Sequence, residues 1–500
     1  MLLFFKFFLC GVFTSLLFPP FFLIPLGFII FPYLVYLLDT KKKSLNYPLH
    51  FLAGFLFGLG FFSIFLLWLR EPFFLDEKTN SYALFSYLLV IYCSLYFGFI
   101  FCFIKLFNKV ILKLFMFPTL IIISEFICGN FLYGFPWFSF ALINSNNIFG
   151  TTLVFYFGSL GLSYLTILIF LFPYIFLLEN KKTIKLLFLN YIVLIVFILF
   201  LVFFKILNND NDNDNDYDYD YDNYESNLLS ITIAQLNYPV NQYLSLDEKN
   251  NKLKRVTEII SDSNSEIIIF AENDYPFLMN KDSIFFLQKH LQHNQKLIIG
   301  SVRKESLKYY NSLFLISKNS YQKFDKKILV PFGEFIPFRN FFNFMEYIAG
   351  NIDFSTGSDD RFIKLEENFN ILPVICYEII YYSHLIKKNN TNIIINLTND
   401  SWFGKLFGPY QHFYFTKLRS AEFNKSIIRV SSNGISGLID EKGYVKNFIK
   451  LNKSDIINFN IIKTGINNNY LLFHRFFFLI IILSFLLGLI LNKRNEKRTI

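Results

Sequence analysis

The sequence predicts a polytopic α-helical membrane domain with an α/β domain inserted ahead of its last helix. Apolar residues make up 54% of the 500, and 69 residues are Phe, a composition unsuited to a soluble chain. They fill residues 1–207, thin out from about 208 to 468, and return at 470–491. Within the thinned region, long apolar runs give way to short β-branched runs bounded by turn formers.

A bilayer core takes about 20 apolar residues per helix. Stretches of that kind fall at 2–18, 20–38, 51–69, 84–104, 110–128, 152–178 and 183–206, then at 472–491. The expected arrangement is therefore seven spans plus one, about eight in all. Pro19 and Pro20 alone separate the first two. Lys6 ahead of an apolar run imitates a signal peptide. No small-residue cleavage site follows, and further spans come directly after it, so the first span is expected to be a retained anchor.

Lys41, Lys42 and Lys43, Lys105 and Lys109, and Lys181, Lys182 and Lys185 occupy every second short loop, and Lys493, Arg494, Lys497 and Arg498 follow the last span. The loops between these carry little positive charge. Positive loops stay cytoplasmic, so both termini are expected inside and residues 228–468 outside. The net charge of +9 is then mainly a topology signal, and no basic–aromatic groove for nucleic acid is evident.

Residues 208–223, "NNDNDNDNDYDYDYDN", have no apolar periodicity and read as part of an acidic tether over 208–227. They lack the fixed ligand and Gly spacing of a calcium loop. From 228 the runs "LLSITIAQLN", "SEIIIFAEND", "KLIIGSV", "NSLFLIS", "NILPVICYE" and "TNIIINLTND" predict strands, with helical stretches at 246–263 and 281–294 between them. Buried strands alternating with helices indicate covered sheets. The domain organisation is thus 1–207 helical, 208–227 linker, 228–468 α/β, and 469–500 a last span with a basic tail.

Of five cysteines, Cys10, Cys93, Cys102 and Cys128 lie in or beside the spans, leaving Cys376 alone in the α/β domain. An unpaired thiol in an exported domain is either an inert core residue or a reactive one. Three polar groups sit near other strand ends: Glu272 after "IIIFA", and Lys326 and Glu334 in "KKILVPFGE". The types fit one another. A thiolate is the attacking form of Cys, a desolvated Glu can accept its proton, and a Lys can stabilise an oxyanion. Taken singly, each residue is equally compatible with a solvated strand end. His290 and His293 on one helix lack a third ligand and read as a solvated face, not a metal site. His412 reads as a packing or hydrogen-bonding residue. Trp137 and Trp402 are open between interfacial anchors and core aromatics.

The order Glu, Lys, Cys within "FAENDYP", "KKILVPFGE" and "CYE" resembles the carbon–nitrogen hydrolase (nitrilase) superfamily. With "NLTNDSWFG" (396–404), "GPYQH" (408–412), "RSAE" (419–422), "RVSSNGIS" (429–436) and "GFPW" (134–137), the whole chain resembles the membrane-embedded acyltransferases of that superfamily. The resemblance implies an αββα sandwich, with Glu272 as general base, Lys326 as oxyanion donor and Cys376 as nucleophile. Glu334 and Glu378 are implied as further acids of the site and Tyr377 as a pocket residue.

It also implies a multi-pass inner-membrane protein with its catalytic domain in the periplasm, working as a monomer without cofactor or metal. A phospholipid, phosphatidylethanolamine for preference, would be the acyl donor. The acceptor would be the amine of a diacylglyceryl apolipoprotein. Departures from the family pattern occur at Asn273, Asp274, Phe324 and Cys128, and a Trp usual on the loop after "AQLN" has no clear counterpart, with Tyr243 and Leu244 nearby. The rival readings are a membrane-tethered amidase that uses water, and a non-enzymatic transporter or scaffold. The spans hold few ionisable residues, Lys6, Lys113 and Glu125 being the clearest, so a charged transport pathway is poorly supported.

Overall fold

The structure, a computed structural model, describes residues 1–39, 46–107, 110–131, 133–214, 228–342, 345–346, 350–381, 385 and 390–463. The expected span 472–491, the basic tail and Lys41–Lys43 lie outside the described residues. The chain divides into two compact units. One comprises Met1–Arg70, Tyr82–Asn215 and Asn469–Ile500; the other comprises Glu71–Ser81 and Asp216–Asn468.

The first unit contains α1 (Leu2–Ser15), α2 (Gly27–Asp39), α3 (Tyr47–Phe65), α4 (Ser86–Ile104), α5 (Val110–Asn130), α6 (Ile148–Phe170) and α7 (Lys181–Asp214). Among the described residues, five helices are long and apolar enough to cross a membrane: Tyr47–Phe65, Glu77–Ile104, Ile111–Asn130, Ile148–Leu177 and Lys181–Leu207. The first two expected spans are shorter apolar helices of 14 and 13 residues. At 1.5 Å per residue neither covers a core of about 30 Å. Pro19, Pro20 and Pro25 lie between them, and proline cannot supply the N–H that an uninterrupted helix needs. α7 continues through Asp214, so the first part of the acidic repeat is helical, because extending a formed helix costs far less than starting one. Residues 215–227 lie outside the described residues.

Close packing in this unit rests on small residues. A Cβ on Gly11 would lie 2.0 Å from the carbonyl oxygen of Phe57, and one on Gly60 would lie 2.2 Å from that of Phe8, so α1 and α3 meet backbone to backbone. Phe rings fill the remaining space; Phe18 packs on Phe61, Phe65 and Phe140 at 5.3, 4.8 and 5.5 Å. Trp137 is fully buried against Trp68, 4.3 Å away, which makes it a core aromatic. Glu125 in α5 is buried too, and accepts from the Phe140 amide at 2.7 Å and the Ser163 hydroxyl at 3.0 Å. Its carboxylate thus fastens the segment after α5 to α6.

The second unit holds β1 (Leu228–Gln235), α8 (Leu246–Asp262), β2 (Ile267–Ile269), α9 (Lys281–His290), β3 (Lys296–Glu305), β4 (Lys308–Ser317), β5 (Tyr321–Asp325), β6 (Ile363–Glu366), β7 (Phe369–Ile375), β8 (Ile393–Thr398), α10 (Gly408–Phe423), β9 (Ile427–Ser431), β10 (Ser436–Ile439), β11 (Val445–Ile449) and β12 (Asp455–Ile462). They form two six-stranded sheets, ordered β12-β1-β2-β3-β4-β5 and β11-β10-β9-β8-β7-β6. The central strands β1, β2 and β3 run parallel, as do β7, β8 and β9.

α8 opens with a Ser245–Glu248 capping box. Its buried face (Val256, Ile259, Ile260) joins Ile284 and Leu287 of α9 over Ile268, Leu297 and Phe314 of the first sheet. α10 sets Phe413 against Ile435 and Ile439 on the second. The result is a nitrilase-like α/β sandwich. Parallel strands paired in register end together, so the residues that follow β7 and β8 leave the second sheet side by side.

Candidate active site

Cys376 is the first residue after β7 and has φ +51°. A left-handed backbone costs an ordinary residue roughly 1–2 kcal/mol, and such strain collects where function requires it. The side chain is only 5% exposed. Its thiol lies between Glu272 and Thr398, within interacting reach of both.

Glu272 follows β2 and is held at both ends. Its backbone carbonyl accepts from Ser432 Oγ at 3.3 Å, and its Oε1 accepts from Asn311 Nδ2 at 2.7 Å. Gly300 on β3 permits this placement, since a Cβ there would come within 2.6 Å of the Glu272 Cα. Lys326 follows β5 and is 1% exposed; its Nζ stands 2.9 Å from Glu334 Oε1 and 3.6 Å from Glu272 Oε1. Asn311 donates to Glu334 as well, at 2.9 Å, while Glu334 Oε2 accepts from the Val330 amide at 2.8 Å. Glu272, Lys326, Glu334 and Asn311 therefore form one connected cluster beside the thiol.

Glu378 occupies a different setting. Arg361 grips both its oxygens at 2.7 Å, and it also accepts from the amides of Ile375, Lys327 and Ile328 at 2.9, 2.8 and 3.1 Å. One carboxylate thus ties the turn carrying Cys376 to the segment carrying Lys326. Its lone pairs are committed, and its place is that of a staple. Tyr377 is buried, with its ring edge-on to Tyr381 at 5.2 Å.

The electrostatics separate these groups. Burial pushes the Glu272 carboxyl above its ordinary range; Lys326 opposes this and Glu334 reinforces it. Burial raises the Cys376 thiol well above its ordinary value, and the charge of Glu272 adds to that against Lys326. For Lys326, burial is outweighed by Glu334 and Glu272, so the ammonium stays charged. Burial would raise Glu378 too, but Arg361 overcomes it and the group ends below its usual range. Moving the thiol proton onto Glu272 leaves the total charge of the cluster unchanged, so the transfer adds no net charge to the buried site.

Sequence reasoning singled out Glu272, Lys326, Glu334 and Cys376, and the fold brings all four together. It missed Asn311 and Arg361. Neither stands out, because each acts through partners supplied by other segments. Thr398, Asp400, His412 and Arg429 lie inside the quoted motifs and cluster around the Asp400 carboxylate, with His412 reaching the Cys376 carbonyl. The helix expected to carry both His290 and His293 ends at His290, so His293 falls in the turn beyond α9; the two lie near Ser261 at 3.4 Å and Asn294 at 3.0 Å respectively.

A thiol, a carboxylate and an ammonium converging at strand ends of a two-sheet sandwich define a carbon–nitrogen hydrolase type of domain, and the carbon-nitrogen hydrolase family profile matches residues 231–461. A second profile, the apolipoprotein N-acyltransferase N-terminal domain, matches residues 10–172. The chain is 28% identical over 464 residues to an apolipoprotein N-acyltransferase of Rhodopseudomonas palustris, covering 87% of this chain and 85% of that one. It is 30% identical over 424 residues to that of Wigglesworthia glossinidia brevipalpis, covering 79% of each. The match to the Allorhizobium ampelinum relative, 34% identical over 246 residues, spans only 45% of this chain and 46% of that one. The chain belongs to the apolipoprotein N-acyltransferase family, a family of bacterial multi-pass acyltransferases.

Proposed function

We propose that the chain moves an acyl chain from a phospholipid to the N-terminal amine of a diacylglyceryl apolipoprotein, through a thioester on Cys376. The observation that carries this reading is the Cys376–Glu272–Lys326 cluster within a chain related along most of its length to N-acyltransferases. Glu272 takes the thiol proton as Sγ attacks the ester carbonyl, and Lys326 faces the oxyanion. The new C–S bond replaces the ester C–O bond, and the proton on Glu272 passes to the departing glycerol oxygen to give a lysophospholipid. The acceptor amine then attacks the thioester, and its proton passes through Glu272 to the departing sulfur, so Cys376 leaves as the thiol and Glu272 is ionised again. Glu334 keeps Lys326 in place, and Glu378 sets the Cys376 turn against the lysine segment.

Phosphatidylethanolamine is the proposed donor, as the resemblance to the membrane-embedded acyltransferases implies; both substrates are then membrane-held molecules. The charge pattern of the loops supports a periplasmic α/β unit and cytoplasmic termini in an inner membrane. The chain is proposed to act as a monomer. The test is turnover of a phospholipid labelled in its acyl chain, with a diacylglyceryl lipopeptide or with water alone as acceptor. Label on the lipopeptide amine is the expected result. Release of free fatty acid at the same rate without the lipopeptide would instead make the chain a hydrolase.

A further inference from the structure

Next to the nucleophile lies a second buried cluster that the acyl-transfer chemistry leaves unused. Asp400, two residues past the end of β8, is inaccessible to solvent, and three groups converge on its carboxylate. Oδ1 accepts from Thr398 Oγ1 at 3.1 Å and faces His412 Nδ1 at 2.8 Å, while Oδ2 accepts from Arg429 Nη2 at 2.7 Å. Arg429 is pinned in turn by Asn396 Oδ1 at 2.8 Å, Thr416 Oγ1 at 3.1 Å and the Ile435 carbonyl at 3.1 Å. There is no slack around the acid, since a Cβ on Gly434 would come within 2.0 Å of Asp400 Oδ2.

His412, projecting from α10, is the one member that touches the nucleophile's backbone. Its Nε2 stands 3.3 Å from the carbonyl oxygen of Cys376, and Phe403 packs edge-on against its ring at 5.4 Å. A bond to a carbonyl requires the proton on Nε2. With a proton on Nδ1 as well, the ring donates to Asp400 Oδ1, 2.8 Å away, and both ring contacts are made at once. In that form the imidazole has no lone pair aimed at the thiol. It grips the peptide that follows the nucleophile, and that peptide belongs to a residue in the left-handed region.

We propose that His412 is a positioning residue for acyl transfer: clamped by Asp400 and Arg429, it holds the Cys376 carbonyl and thereby the left-handed backbone that aims the thiol at Glu272. This rests on Cys376 being the nucleophile. Thr398 contributes to the same end, because its hydroxyl is bonded to Asp400 and is within hydrogen-bonding reach of the thiol.

The test compares the full-length wild type with His412→Phe and His412→Gln, each checked for membrane accumulation and melting temperature. Two quantities are read: the single-turnover rate of thioester formation from labelled phospholipid, and kcat and KM for transfer to a lipopeptide. His412→Phe fills the space without a donor. It should slow thioester formation by on the order of 10- to 100-fold, as misplacement of a reacting group does, with KM within about twofold. His412→Gln, whose amide can reach the same carbonyl, should recover a substantial part of the rate. The proposal is overturned if His412→Phe acylates at the wild-type rate per folded molecule, or if Gln is no better than Phe. If the wild type transfers acyl chains without ever carrying one on Cys376, it is the nucleophile assignment that fails.

Discussion

Glu272 and Glu378 are both buried carboxylates within a few residues of strand ends, yet their surroundings push them in opposite directions. Glu378 receives a two-point Arg361 contact and three backbone amides. Glu272 receives one side-chain amide, with Lys326 standing off at 3.6 Å. The first is saturated, and its ionised form belongs to the fold. The second is under-solvated, which gives it the basicity a proton acceptor needs. Partner count therefore distinguishes a structural acid from a reactive one where sequence position cannot.

The sharpest way to break that comparison is to neutralise each acid in turn. Glu272→Gln removes the proton acceptor, and turnover should fall by about 10²–10⁴-fold, the usual contribution of a general base. Its folded pKa is raised, so the ionised group's unfavourable burial is felt as pH rises through that pKa; the Gln variant should melt no lower than the wild type. Glu378→Gln should do the reverse. It leaves Arg361 buried without its counter-charge, a loss of about 3–5 kcal/mol of stability, visible as a lower melting temperature. If Glu272→Gln unfolds the protein while Glu378→Gln only slows it, the distinction is wrong.

A somewhat smaller effect is expected at Lys326. Lys326→Met should cost about 10²–10³-fold in kcat, the range for one oxyanion donor, measured as single-turnover acylation in properly inserted protein. Glu334→Gln should be milder, because an amide oxygen can still accept from Lys326 Nζ; a rate loss as large as that of Lys326→Met would move Glu334 into the chemistry itself. The pH profile of acylation gives the finest distinction. The rate should fall as pH drops through the Glu272 pKa, so the acid limb lies above the ordinary Glu value of about 4.3. Glu378, with its depressed pKa, contributes stability above the ordinary value that is lost as pH falls through its folded pKa, and so should appear only in acid unfolding.

Much of this was legible in the residues. The apolar runs located seven N-terminal helical stretches, and the β-branched runs located β1, β2, β3, β4, β7 and β8. The remaining strands, β5, β6 and β9–β12, escaped notice, the central β9 among them. β11 and β12 expose most of their side chains and alternate weakly, so pairing with a neighbour, not their own pattern, makes them strands. The lengths of the first two helices escaped too, because hydropathy does not register where prolines end a helix. In the site, the reactive types stood out at strand ends. Asn311, Arg361 and the Asp400–Arg429 pair did not, since their roles lie in bonds between residues 17 to 39 positions apart.

The central claim is that the thiol of Cys376 carries the acyl group, and it can be weighed directly. Purified full-length protein is mixed with a phospholipid bearing an isotopically labelled acyl chain, without acceptor, quenched in acid and digested for mass analysis. The account predicts the labelled acyl mass on the peptide containing Cys376, labile to hydroxylamine and discharged when a lipopeptide is added before the quench. Unmodified Cys376 throughout, in a preparation that still transfers label to the lipopeptide, would contradict it.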